Sequence, residues 1–269
     1  MHEESYIVIT NTQLFMAAAL LSVNVALSAA MRLGLTRDLL VGTLRMTVQL
    51  ALVGLVLEWI FQTSQPLLIL LMAVIMASLA GVAAVQRTNR RFPGVWWNSL
   101  VVISTSAFLV TGAAVTGILK VAPWYDPQYL IPLLGMVLGN ALTGISLGLD
   151  RMLDGCVRNR NWIETMLSHG ATHWEAAHEE IRQALRTGMI PTVNAMMIMG
   201  IVSLPGMMTG QILAGAAPMD AVRYQMVIMF MIAACTALAT LGVVLLAWHT
   251  LFSKDHRLLS GRIRLVKKQ

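Results

Sequence analysis

Charge is what this 269-residue chain has little of. Only 12% of its residues are Asp, Glu, Lys or Arg, against 57% hydrophobic, and its mean hydropathy is +0.70. So few ionic groups cannot clothe a soluble domain, and the composition is that of a polytopic membrane protein. Cysteine is scarce as well. Cys156 sits in a polar stretch and Cys235 in an apolar one, which argues against a disulfide between them and for two free thiols. A secretory leader is not expected at the start: MHEESYIVIT is acidic where a signal peptide is basic and offers no small-residue cleavage site, so the first apolar run is expected to be retained. There is also no phosphate-binding loop. Gly112-Ala-Ala-Val-Thr-Gly117 continues into Ile118 rather than Lys, so the chain is not expected to hold ATP itself. Its net charge of +6 reads as membrane topology, and no nucleic-acid partner is expected.

What the chain has instead is long apolar runs. Seven stretches of about the ~20 residues that cross the hydrocarbon layer lie near 6–30, 42–61, 66–86, 98–119, 129–149, 189–213 and 222–251. Of its 19 Lys and Arg, 17 fall in the connections 31–45, 86–97, 150–188 and the tail, leaving Lys120 and Arg223 for the other side. The positive-inside rule then predicts an all-α protein of about seven transmembrane helices, N-terminus outside and C-terminus in the cytoplasm. The outer turns at 63–66, 122–128 and 214–220 are too short for a folded external domain. With no internal repeat, residues 1–269 read as one integral membrane domain with a cytoplasmic insert at 150–188 and a basic tail at 252–269. TRDLLVGTLRM, before the second span, has apolar residues at helical spacing and is compatible with a helix that follows the interface before turning inward.

The insert is the one long polar stretch. Asp150 to Val157 extends the fifth span, Asn161 is placed to cap a short helix through His169, and Gly170 ends it. Thr172 and Glu175 form a capping box that opens a second helix. There Trp174, His178, Ile181 and Leu185 share a stripe, with Glu175, Glu179, Arg182 and Arg186 away from it. Such a helix packs on its own bundle or lies on the membrane, or the insert is a coupling surface whose short 161–169 helix seats in a groove of a cytoplasmic motor. His169, His173 and His178 have only partly helical spacing and read as a solvated face or subunit contact rather than a metal cluster.

Polar groups at membrane depth mark a candidate substrate path: Gln49, Asn140, Asn194 and Gln211, with Glu58 as the only acid inside a predicted span. Each amide also suits a hydrogen bond between helices, and Glu58 suits either a snorkelling side chain or a cation attractor. Asn140 lies in Gly135-Met-Val-Leu-Gly139-Asn-Ala-Leu-Thr-Gly144, whose small residues allow close helix approach. Pro205 and Gly206 predict a helix break in the sixth span. Ten of the 19 Met fall between Met189 and Met231; Met196, Met199, Met207 and Met208 are candidate soft-metal ligands, and equally adaptable apolar filler. No nucleophile–base pair or His/Glu metal motif occurs in the spans, so an intramembrane enzyme is disfavoured and the chain is expected not to be catalytic.

Glu164-Thr-Met-Leu-Ser-His-Gly170-Ala171 resembles the Glu-x-x-x-x-x-Gly-Ala loop through which ABC-importer permeases contact their ATPase. The downstream Ile-x-Leu-Pro element departs from the usual distance, being approached only by Ile190-Pro191 and Ser203-Leu204-Pro205. More of the chain is similar to the FetB-type permeases, through Leu44-Arg45-Met46-Thr47-Val48-Gln49-Leu50, Gly139-Asn140-Ala141, Gly188 to Asn194 and Gly200 to Leu213. That resemblance implies the permease subunit of an ABC transporter in a bacterial inner membrane. Iron export and, in plant relatives, aluminium tolerance are linked to it. It further implies a permease homodimer and a separate cytoplasmic ATP-binding subunit carrying ATP and Mg, with Glu164, Leu167, Gly170 and Ala171 as the coupling contact. An ion- or proton-coupled secondary transporter is the alternative, disfavoured by the few ionisable residues in the spans.

Overall fold

The computed structural model describes residues 9–63, 65–253, 255 and 257–266. The tail lysines Lys254, Lys267 and Lys268 and the first residues of the span expected at 6–30 lie outside them. Among the described residues there are nine α-helices and one two-residue strand pair. In chain order the helices are α1 (Asn11–Ala30), α2 (Thr36–Thr63), α3 (Pro66–Gln86), α4 (Val95–Ala113), α5 (Pro127–Arg158), α6 (Arg160–Ser168), α7 (His173–Ile198), α8 (Gly206–Leu213) and α9 (Pro218–Leu251). The strands are β1 (Arg90–Arg91) and β2 (Arg264–Leu265).

The sequence supplies the ends of these helices. Thr10 and Gln13 form a capping box at α1; Pro66, Pro127 and Pro218 stand in the first turns of α3, α5 and α9, where a missing N–H costs nothing. α5, α7 and α9 pack on one another, and α3 and α4 close the bundle against α5 and α9. α1 and α2 stand at its edge, with Ser28 and Ile60 their only buried residues among those described. α2 is one uninterrupted helix from Thr36, so the stretch considered for an interfacial segment belongs to the spanning helix.

Among the described residues six helices, α1 to α5 and α9, are long and apolar enough to cross a membrane. The all-α polytopic architecture expected from sequence is therefore present, with one correction. The run 189–213 is not a single span. Its first half is the end of α7, which starts far back in the polar insert, and its second half is the eight-residue α8. Gly200, at φ +81°, reverses the chain, its N–H donating to the Ser203 carbonyl at 2.9 Å, and Pro205 caps α8. The break thus occupies Met199 to Pro205, upstream of the Pro205–Gly206 step that sequence favours.

Three of the four basic segments meet at one end of the bundle. β1, from the 86–97 connection, pairs antiparallel with β2 of the tail, and the Val266 N–H donates to the Asn89 carbonyl. Asp150 accepts from the Asn89 N–H at 2.7 Å and from its side-chain amide at 3.0 Å, while Asp154 pairs with Arg90 at 3.4 Å. The Trp248 indole N–H donates to the His173 carbonyl, tying the end of α9 to the start of α7. At the opposite end Phe61 lines a cavity with Pro123, Tyr125 and Asp126.

Candidate coupling surface and membrane cavity

α6 is held as a separate short helix on the polar end. The helix begins one residue before the Asn161 expected to cap it: Asn159 occupies the cap position, and its amide is spent on Glu180 rather than on the helix. Ile163 is fully buried, and Met166 and Leu167 pack against the same core. Glu164 accepts from Arg160 one turn back at 2.7 Å. The C-terminus closes in a Schellman motif: the Gly170 N–H donates to the Leu167 carbonyl and the Ala171 N–H to the Met166 carbonyl, both at 3.1 Å. Gly170, at φ +89°, takes the left-handed position, where a side chain is strained. The Gly-Ala of the sequence motif is thus the stop of α6. Its outward face carries Trp162, 65% exposed, and the Glu164–Leu167 flank shares a polar cavity of about 520 Å³ with Asp255, Arg257 and Leu258 of the tail. Sequence reasoning missed Trp162, because a lone aromatic in a short helix does not announce whether it faces out.

α7 opens with the expected capping box. Glu175 accepts from the Thr172 N–H and hydroxyl, both at 2.8 Å, and the Thr172 hydroxyl accepts from the Glu175 N–H at 3.2 Å. The Thr172 N–H, then its hydroxyl, hold the Glu175 carboxyl below the usual carboxylate range. One turn on, Arg182 grips Glu179 with two hydrogen bonds at 2.9 and 2.8 Å, and this contact, then the Gln183 amide, pulls Glu179 down to about 2. Of the Trp174–His178–Ile181–Leu185 stripe only the second half faces the bundle, Ile181 being buried and Leu185 packed against the core. Trp174 and His178 are exposed, with Trp174 edge-on to Trp248. Ala177, Glu180, Ala184 and Gly188 make up the rest of the buried face. Glu180, only 4% exposed, accepts from Arg151 of α5 at 3.0 Å and from the Asn159 amide at 2.5 Å; Arg151 also donates to Gln183. Two donors of opposite or neutral charge thereby satisfy a carboxylate that would otherwise be buried alone. Gly155 lies so close that a Cβ there would collide with Glu180 Oε2.

Below this network three helices meet on small residues spaced by four: Gly144 and Gly148 of α5, Ala184 and Gly188 of α7, Thr236 and Thr240 of α9. A Cβ on Gly188 would stand 2.6 Å from Thr240 Cγ2 and 2.7 Å from the Gly144 carbonyl oxygen. Close backbone approach is the packing mode expected where lipid removes the hydrophobic contrast. Of the sequence motif it uses the last glycine, Gly144, whereas Gly139 faces open space.

The predicted path residues are dispersed within one chain. Gln49 and Glu58 are exposed on α2, Asn194 is exposed on α7, and Gln211 is half-buried on α8. Asn140 is exposed, and its amide donates to the Met136 carbonyl of its own helix at 2.8 Å. The methionines are brought together. Met196, Met199 and Met208 line a cavity of about 290 Å³ where the α7–α8 break meets α9, joined there by Met226, Met229 and Gln225; Met207 packs against the core instead. Gln225 was overlooked although it carries the signal that singled out Gln49, an amide inside an apolar run. A larger void, about 750 Å³, lies between α1 and α2 and is apolar apart from Asp38 and two threonines. Among the described residues no group of three or more His, Cys, Asp or Glu is placed to hold a metal.

Residues 11–252, from the first turn of α1 to the residue after α9, match the family described as "Uncharacterised protein family (UPF0014)". A UPF0014 membrane protein of Synechocystis is 39% identical over 240 residues, spanning 89% of this chain and 93% of that one. The Arabidopsis thaliana protein ALUMINUM SENSITIVE 3 is 32% identical over 247 residues, 90% of this chain and 88% of its own. The "Probable iron export permease protein FetB" of Escherichia coli is 31% identical over 256 residues, 95% and 97% respectively. No solved structure matches. Likeness over this length, joined to six helices fit to cross a bilayer, identifies a multi-pass membrane protein, and the chain belongs to the UPF0014 family.

Proposed function

We propose that this chain is the membrane subunit of an ATP-driven exporter of iron or another metal species in the bacterial inner membrane. Two copies form the path, and a separate cytoplasmic subunit holds ATP and Mg and drives them. Each copy is a single integral domain whose basic end faces the cytoplasm, the orientation that the 17 clustered cations favour. One observation carries the proposal. α7 is a continuous helix of 26 residues, about 39 Å at 1.5 Å per residue, from the capping box beside α6 to the break at Met199. A displacement of α6 by a motor is transmitted through the Arg151–Glu180–Asn159 network into α7, and so to the membrane cavity at its far end. Transmission of this kind needs a rigid element whose two ends both contact a moving part. Glu164, Leu167, Gly170 and Ala171 are the coupling contact. Gln49, Asn140, Asn194, Gln211 and Glu58 supply polar groups to a path that the second copy completes. The name of the Escherichia coli relative supports a metal cargo.

The test is assembly and coupling. If an ATP-binding subunit is encoded nearby, co-expression with it should yield a complex whose ATPase rate responds to the permease, and Glu164→Lys or Gly170→Trp should abolish that response. If both variants retain assembly and coupling, α6 is not the contact. Transport by liposomes containing the chain alone, driven by a proton gradient, would select a secondary carrier instead.

A further inference from the structure

The cavity at the α7–α8 break has a chemistry of its own. Five thioethers, from Met196, Met199, Met208, Met226 and Met229, border about 290 Å³ of unfilled space together with the Gln225 side chain. Methionine acting only as packing filler moulds itself into such gaps; here the side chains line a half-open groove that they leave unfilled, with Met196 and Met226 exposed at its rim. Gln225 is 7% exposed, its amide nitrogen is 4.0 Å from Met199 Sδ, and its carbonyl oxygen Oε1 is buried without a hydrogen-bond partner. A buried amide oxygen left unpaired costs about 1–3 kcal/mol, so a group able to accept its lone pairs is favoured at this place.

We infer that this cavity is a binding site for a soft monovalent cation of the Cu(I) and Ag(I) class. Thioether sulfur is a soft neutral donor that suits Cu(I), whereas divalent iron prefers imidazole, carboxylate or thiolate. The cavity has no carboxylate in its lining, so the donor set brings no negative charge and suits one positive charge better than two. The cation keeps its oxidation state throughout. The two walls also differ in origin: Met196 and Met199 are at the end of α7 and the break, while Met226 and Met229 are on α9. Movement of α7 relative to α9 separates donors from donors, which converts a tight site into a loose one. The inference rests on the transporter reading for its purpose, naming the cargo class of that path, but binding itself requires no ATPase.

Silver(I), which needs no reductant, is the probe. The full chain is purified in detergent micelles with Cys156→Ala and Cys235→Ala, so that any sulfur ligand is a methionine. Titration should give one Ag(I) per chain, undisplaced by an excess of Fe(II). X-ray absorption should show sulfur in the first shell. Met199→Leu with Met229→Leu, a nearly volume-conserving pair, should weaken binding by about tenfold or more, while Met72→Leu on α3 leaves it unchanged. Absence of Ag(I) binding, a shell of nitrogen and oxygen alone, displacement by Fe(II), or undiminished affinity in the paired variant overturns the site. If the paired variant does not fold, Met226→Leu decides the matter, since its side chain is 53% exposed at the rim of the cavity and should still weaken binding; undiminished affinity there overturns the site. None of these failures touches ATPase coupling, which is measured separately through α6.

Discussion

Glu180 shows how a single residue fixes the geometry of the polar end. Its carboxylate is buried between α5 and α7, and it is acceptable there only because Arg151 and Asn159 donate to both oxygens. Arg151→Leu removes the charge partner and leaves an uncompensated anion at 4% exposure. Because Arg151 is itself partly exposed, the loss should sit near the lower end of the range for broken buried pairs, about 3 kcal/mol, read as a lower melting temperature in detergent. Adding Glu180→Gln should restore part of that stability, since the amide needs no counter-charge. Equal melting of the single and double variants would show that the pair is not coupled. This network was not legible in the sequence. Glu180 lies on a helix surrounded by Glu175, Glu179, Arg182 and Arg186, and only the approach of Gly155 across the α5–α7 contact separates it from those solvated neighbours.

At the scale of elements, what could be read in advance was whatever depends on a few adjacent residues. The Thr172–Glu175 box and the Gly170 stop are local hydrogen-bond motifs, and both are found where the sequence put them. The apolar stripe on α7 holds at Ile181 and Leu185 but not at its first half, because the rest of the contact is made through alanine and glycine, which hydropathy barely distinguishes, while Trp174 lies out on the rim against Trp248. The 189–213 run failed as one span for a similar reason. Its hydropathy is continuous, but Gly200 and Pro205 set backbone conformations that a helix cannot carry through. The predicted path was legible as a set of polar residues, not as a place, since no local pattern states which helix faces another. The start of α7 allows a pH test. Both Glu175 and Glu179 are held below the ordinary carboxylate pKa of about 4.3, so their contribution is present at neutral pH. It is lost as pH falls through the folded-state values, about 2 for Glu179. Amide protection over 172–176 should fall in that acid window. Glu175→Gln retains a capping side chain that does not titrate, and should flatten its share of the change. A protection profile that is the same in both chains would separate the cap from the acid response.

For the whole molecule the decisive feature is the uneven cover of its helices. α5, α7 and α9 bury one another, whereas α2 buries only Ile60 among its described residues. Lipid is an adequate partner for the leucines of α2 but a poor one for Gln49, whose amide at membrane depth is favoured where it meets protein or water. Gly42, Arg45, Gln49, Leu52 and Val56 are all exposed and follow a three-four spacing, which places them along one seam of α2. Glycine at one end and an amide in the middle are the residue types by which membrane helices associate. The permease homodimer is therefore proposed to close along this seam, a second Gln49 amide completing the first. With Cys156→Ala and Cys235→Ala as background, Gln49→Cys should cross-link the chain to itself in native membranes under mild oxidation, because a disulfide requires Cα atoms within about 7 Å. Leu79→Cys, 65% exposed on α3, should remain monomeric under the same treatment. A cross-link at position 79 and none at 49 would move the dimer contact to the other side of the bundle. It would also remove Gln49 from the path, since the residue would then face lipid in both copies.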